Sequence, residues 1–132
     1  APLLGFISLV MPAISMGNRV VAVPAARSAL AVTDFYQVLE TSDLPVGVIN
    51  IVTGEREELA KTLADHDDVA ALWYHGSGAG CAAVEIASAG NLKSTWTNQG
   101  RDFDWRNEVH AQGEEYLRHA TQIKNIWIPY GE

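Results

Sequence analysis

The sequence predicts an α/β fold built on a mostly parallel sheet with helices on both faces. Three observations carry this. Short, apolar, β-branched runs recur along the chain, helical runs separate them, and Gly, Pro or Asn punctuates the junctions. Continuous apolar strands alternating with helices belong to parallel sheets covered on both sides. The crossovers between such strands are expected to be right-handed.

Taken in order, Pro2 suits a first helical turn, and the run to Met16 predicts a buried helix stopped by Gly17-Asn18. Arg19 to Val23 predicts a buried strand closed by Pro24. Ser28 is a candidate cap for a helix to about Leu39 or Thr41, with Leu30, Val32, Phe35 and Val38 inward. Leu44-Pro45 breaks it, and Val46 to Val52 predicts a second strand stopped by Thr53-Gly54. Glu55 to Asp65 predicts a helix with acids in its first turn. Val69 to Tyr74 predicts a third strand, followed by the loop His75 to Gly80 and an Ala-rich helix to about Ser88. Ala89-Gly90-Asn91 ends that helix, and Leu92 to Thr97 predicts a fourth strand. Asn98 to Asn107 is polar and reads as irregular, Glu114 to Ala120 as a helix, and Gln122 to Pro129 as a last strand. There are no internal repeats and no low-complexity linker.

The 132 residues, 48% apolar and 19% charged, fit one globular domain with a real core. A net charge of −7 argues against nucleic acid and anionic membrane as partners, because phosphate binding needs clustered Lys and Arg. A single cysteine, Cys81, excludes an intrachain disulfide and suits a reducing cytoplasm. The apolar run Leu3 to Ala13 contains Pro12, is too short to span a bilayer and has no charged leader, so neither a membrane span nor a signal peptide is expected. The chain opens at Ala1 inside an apolar run, which predicts a domain cut from a longer protein.

Several groups invite a chemical reading. Gly76-Ser77-Gly78-Ala79-Gly80 lies between a strand and a helix, where backbone N–H groups and the helix dipole bind phosphate. Cys81 stands in the last position of the glycine fingerprint, so a tight turn is the competing reading. Cys81 itself is either a thiolate nucleophile paired with His75 or a small buried hydrophobe. His66, His110 and His119 have no metal-ligand spacing, and Asp65-His66-Asp67-Asp68 reads as a solvated loop. Nothing poises Asp102, Asp104 or Glu108 as an acid/base pair. Ile123, Ile126, Trp127 and Ile128 leave apolar side chains toward both faces of the last strand. They predict either an interface or the completion of the chain's own sheet.

Pro2-Leu3-Leu4, Val20-Val21-Ala22-Val23-Pro24, Leu44 to Gly54, Gly76-Ser77 and Asn91-Leu92-Lys93 together resemble the NAD-binding domain of the aldehyde dehydrogenase superfamily. Thr121 to Trp127 is similar to the superfamily's C-terminal oligomerisation strand. Leu72 to Ser77 and Ala87 to Lys93 further resemble the truncated second module of the family-16 aldehyde dehydrogenases. The departures are specific. Val23 and Ala26 stand where the superfamily carries the Lys and Glu that hold the adenosine ribose. Asn98-Gln99-Gly100-Arg101-Asp102 replaces Glu-Leu-Gly-Gly-Lys, so an amide takes the place of the general base. The segment bearing the nucleophilic Cys is missing between the fourth strand and the last, and the oxyanion Asn would fall before Ala1.

The resemblance implies a degenerate, Rossmann-like NAD-binding domain over residues 1–100 and a connector with an oligomerisation helix and strand over 101–132. It implies no catalytic or metal-binding residue and no cofactor in this segment, NAD being held by the parent's other module. Gly76 and Ser77 would be a vestigial cofactor contact, and Ile123, Ile126, Trp127 and Ile128 an interface. Its partners would be a catalytic aldehyde dehydrogenase module and a second copy, as a cytoplasmic homodimer. The alternative is a weak NAD(P)-binding module that keeps the pyrophosphate turn.

Overall fold

The computed structural model describes residues 3–131; the predicted part played by Pro2 lies outside them. Helix α1 spans Leu4–Ser15 and strand β1 Val20–Ala22. A short 3-10 turn leads into α2 (Ala29–Asp34) and α3 (Tyr36–Glu40), and β2 is Ile49–Ile51. Then come α4 (Arg56–Asp65), β3 (Ala71–Tyr74), α5 (Gly78–Ala87), β4 (Ser94–Thr97), α6 (Glu108–Ala111) and α7 (Glu114–His119). This is the alternation expected, with α6 as an addition.

The strands are parallel but form two pairs: β1 with β2 in the register Val20↔Ile49, and β3 with β4 in the register Trp73↔Trp96. A single continuous sheet was expected. Instead, the facing edges of β1 and β3 border two clefts of about 590 and 620 Å³. Arg19 to Val23 and Ala70 to Trp73 line one cleft, and Val21, Val23 and Leu72 to His75 line the other.

Each pair has its own core. Val10 of α1 packs on Ala22 and Ile49, with Phe6, Met11 and Ile14 around them. Ala60 and Ala64 of α4 and Cys81 and Val84 of α5 pack on Tyr74 and Leu72. Side chains alternate across a strand. Leu72 and Tyr74 therefore face α4 and α5, while Trp73 faces the other way onto Trp96 and Tyr116, with ring centroids 4.9 and 6.5 Å away. β3 is thus covered on both faces, by α4 and α5 on one and by α7 on the other.

Several expectations need correction. α1 is half-buried, with Val10 as its buried residue, because part of its surface borders the two clefts. The Ser28 helix is split at Phe35; the Ser28 hydroxyl donates to the Ala25 carbonyl and caps nothing. Val32 is fully buried, but Leu30 and Val38 point outward. The second strand is shorter than Val46 to Val52, since Gly47 at φ +83° turns the chain and leaves Val46 in solvent. Ser77 caps α5, so that helix starts at Gly78, inside the expected loop. The strand over Gln122 to Pro129 is not formed. Residues 121–131 carry no regular structure, because a lone strand has no neighbour to complete its hydrogen bonds.

The stops are well built. Gly17 takes a left-handed conformation at φ +86°, and the Asn18 amide then donates to the carbonyls of Ala13 (2.9 Å) and Ala120 (2.8 Å), tying the ends of α1 and α7 together. The buried Lys93 ammonium donates to the carbonyls of Leu63 (3.1 Å) and His66 (2.6 Å) at the C-terminus of α4, where a cation is favoured.

Candidate functional site

The chemistry-bearing residues gather where β3 runs into α5. β3 delivers Tyr74, His75 and Gly76 to the sheet's upper edge, and the Ser77 hydroxyl caps α5 by accepting from the Gly80 N–H at 3.1 Å. The Gly76 N–H donates to Asn98 Oδ1 at 3.1 Å, and Asn98 Nδ2 returns a bond to the Gly76 carbonyl at 3.1 Å. Asn98 Nδ2 also donates to the Arg101 carbonyl at 2.7 Å, and the buried Cys81 thiol donates to Asn98 Oδ1 at 3.3 Å. Gly100 lies directly over the turn, since a Cβ there would stand 2.9 Å from the Gly78 nitrogen.

On the other face, the Tyr74 hydroxyl bonds the Glu57 carboxylate, 2.8 Å from both oxygens, and Arg56 Nη2 reaches Glu57 Oε1 at 2.9 Å. The Tyr74 bond, then the Arg56 bond, hold the Glu57 carboxyl below the usual carboxylate range. Burial and the same Glu57 bond push the Tyr74 phenol up. The Tyr74 ring lies against Gly76 and Gly80, and a Cβ at either would overlap its hydroxyl.

His75 is enclosed by Trp96, Phe103 and Trp105, with centroids 5.8, 5.1 and 5.4 Å away. Both of its ring nitrogens are buried without a partner, and burial pushes its pKa down to about 4. Trp96 stacks on His119 at 4.2 Å, and Phe103 on His110 at 5.5 Å. This aromatic layer fastens residues 103–119 to β3 and β4.

Gly76 and Ser77 stand at the strand-to-helix turn as expected. Cys81 is buried and bonds Asn98, so no Cys81–His75 pair exists. Among the described residues no three His, Cys, Asp or Glu side chains could hold a metal ion. Val23 and Ala26 bring no hydrogen-bonding side chain to the end of β1. Ile123, Ile126, Trp127 and Ile128 are 78 to 91% exposed. Sequence reasoning missed Glu57, whose only signal was an acid in the first turn of α4, and the aromatic layer, whose residues are scattered over 45 positions and meet only in the fold.

The model of the aldehyde dehydrogenase family matches residues 1–101. The chain is 36% identical over 93 residues to aldehyde dehydrogenase 1A1 of Rattus norvegicus, which covers 70% of this chain and 19% of that protein. It is 32% identical over 90 residues to the NADP/NAD-dependent aldehyde dehydrogenase PuuC of Escherichia coli, covering 67% of this chain and 18% of that one. Among solved structures, a mutant of aldehyde dehydrogenase C from Pseudomonas syringae, complexed with NAD+ and octanal, is similar at TM-score 0.67 and 33% identity over 70% of this chain and 19% of that one. An aldehyde dehydrogenase from Bartonella henselae, at 24% identity and TM-score 0.66, shares the fold. The chain thus spans less than a fifth of the length of these relatives.

Proposed function

Because the chain belongs to the aldehyde dehydrogenase family, we propose that it is a non-catalytic dehydrogenase-like domain that acts by packing and oligomerisation within a larger NAD-dependent aldehyde dehydrogenase. Its partners are a catalytic aldehyde dehydrogenase module, of its own or a partner chain, and a second copy, as a homodimer. The observation that carries this reading is the C-terminal segment: Ile123, Ile126, Trp127 and Ile128 stand 86, 83, 91 and 78% exposed, with Tyr130 wholly so. Large apolar side chains concentrated in one exposed segment mark an interaction surface. Each would contribute roughly 1.5–3 kcal/mol on full burial.

Two absences in the chemistry support the non-catalytic part. Asn98, an amide engaged with Gly76, Cys81 and Arg101, stands where the resemblance puts a general base. The one cysteine is buried and hydrogen-bonded. A cytoplasmic setting agrees with a single cysteine that has no intrachain partner, and no described helix is long and apolar enough to cross a membrane. Light scattering on the full-length protein carrying Trp127→Asp tests the reading. The expected result is a smaller assembly than the unsubstituted protein forms, and an unchanged mass would sink it.

A further inference from the structure

We infer that the glycine turn after β3 is filled by the chain itself: the Glu57 carboxylate held by Tyr74 on one side and the Asn98 amide on the other take the room beside the turn, and the Gly76 and Gly80 donors are already used, so this domain takes no dinucleotide and the turn serves as an internal clasp. The inference rests on the non-catalytic reading above and goes beyond it, since a domain without catalysis could still have kept its cofactor.

In a nucleotide-binding α/β fold, glycine at this turn lets the backbone approach a pyrophosphate. Here the same lack of a Cβ is already used. Gly76 and Gly80 both abut the Tyr74 phenol, and a Cβ on Gly80 would also stand 2.9 Å from Glu57 Oε2. Their presence is therefore explained without a ligand.

Two of the turn's donors are taken in the same way. The Gly76 N–H is given to Asn98 Oδ1 and the Gly80 N–H to Ser77 Oγ, both at 3.1 Å. Gly100 packs so close to Gly78 that a Cβ there would stand 2.9 Å from the Gly78 nitrogen. Charge adds a third obstacle. Helix N-termini favour anions, and an anion is present beside this one: the Glu57 carboxylate, fixed by the Tyr74 hydroxyl at 2.8 Å and by Arg56 at 2.9 Å. A diphosphate arriving here would have to displace a carboxylate that Tyr74 and Arg56 already hold. Further along, Val23 and Ala26 offer a ribose no side-chain donor or acceptor. The residues present do not fit the group that the fold family implies.

Hydrogen exchange on the full-length protein, followed by mass spectrometry in peptides covering residues 74–82, isolates this turn from any other nucleotide site. The expected result is slow exchange that about 10 mM NAD leaves unchanged; further slowing with an apparent Kd below about 1 mM overturns the inference. Glu57→Gln combined with Tyr74→Phe is expected to speed exchange in these peptides at least about tenfold without NAD, and Asn98→Ser, a milder change, to speed it at Gly76. If neither variant changes the exchange, the clasp is not what holds the turn. Light scattering on the same samples separates the two readings. NAD protection of the turn with a Trp127-dependent assembly removes the clasp alone; a silent turn with a Trp127-independent assembly removes the docking role alone.

Discussion

Asn98 and Gly76 bond each other reciprocally: the side-chain oxygen accepts from the Gly76 N–H and the side-chain nitrogen donates to the Gly76 carbonyl, both at 3.1 Å. A side-chain amide thus continues the β3–β4 ladder one step beyond Tyr74, where the Asn98 N–H still bonds the Tyr74 carbonyl at 3.2 Å. The strand pair and the start of α5 are joined at this point.

Removing that amide should cost stability. Asn98→Ala leaves the Gly76 N–H, the Gly76 carbonyl and the Cys81 thiol without partners in a part-buried place. The expected loss is about 2 kcal/mol, at the scale of leaving buried polar groups unpaired. Urea unfolding followed by tryptophan fluorescence measures it. A loss under about 0.5 kcal/mol would mean that water replaces the amide freely.

The glycine contacts predict a different pattern. Gly80→Ala drives a methyl group against the Tyr74 hydroxyl and Glu57, and overpacking of this kind costs about 1–3 kcal/mol. Tyr74→Phe removes the hydroxyl but leaves the ring carbon that carried it 2.8 Å from the new methyl. The double variant should therefore recover part of the loss and not all of it. Strict additivity in this cycle would show that Tyr74 is not what Gly80 makes room for.

His75 sets a pH dependence. Its folded pKa is pushed down to about 4 by burial, against 6.5 for the free side chain. Between those values the unfolded chain binds the proton and the folded chain does not. Stability is full above pH 6.5 and falls as pH drops toward 4, by at most about 1.4 kcal/mol per pH unit. Urea midpoints at pH 7.5 and 5 should differ in that sense, and His75→Phe should flatten the difference. An unchanged slope in the variant would assign the effect elsewhere.

The periodicity of the sequence was enough to reveal the α/β alternation and the parallel pairing, because β-branched runs such as Val20–Ala22 and helix stops such as Gly17-Asn18 act locally. The turn at Gly76-Ser77 was legible for the same reason. What the turn is packed against was not. Glu57 and Tyr74 are 17 positions apart, and Asn98 lies 22 beyond Gly76, so their pairing depends on how α4 and β4 flank β3. Leu30 and Val38 misled by helical spacing alone, because the break at Phe35 resets which face is inward. The last strand does not form because strand propensity in Ile123 to Ile128 says what the segment would form beside a neighbour, and the described residues supply none.

That segment yields the last prediction. Among the described residues, no side chain or backbone group from Gln122 to Gly131 makes a hydrogen bond, and Lys124 stands among exposed neighbours. Cleavage by trypsin after Lys124 therefore needs no unfolding of this domain and should run at the rate of an unstructured peptide, independent of urea below the main transition. In the full-length assembly the same bond should resist, if Ile123, Ile126 and Trp127 are covered by a neighbouring module. Dilution then becomes the control. Where the cover comes from a second copy, protection fades as the protein is diluted through its dissociation range; where it comes from another module of the same chain, protection is independent of concentration. Cleavage equally fast in the assembly and in this domain alone would show that the apolar tail is not where the protein docks.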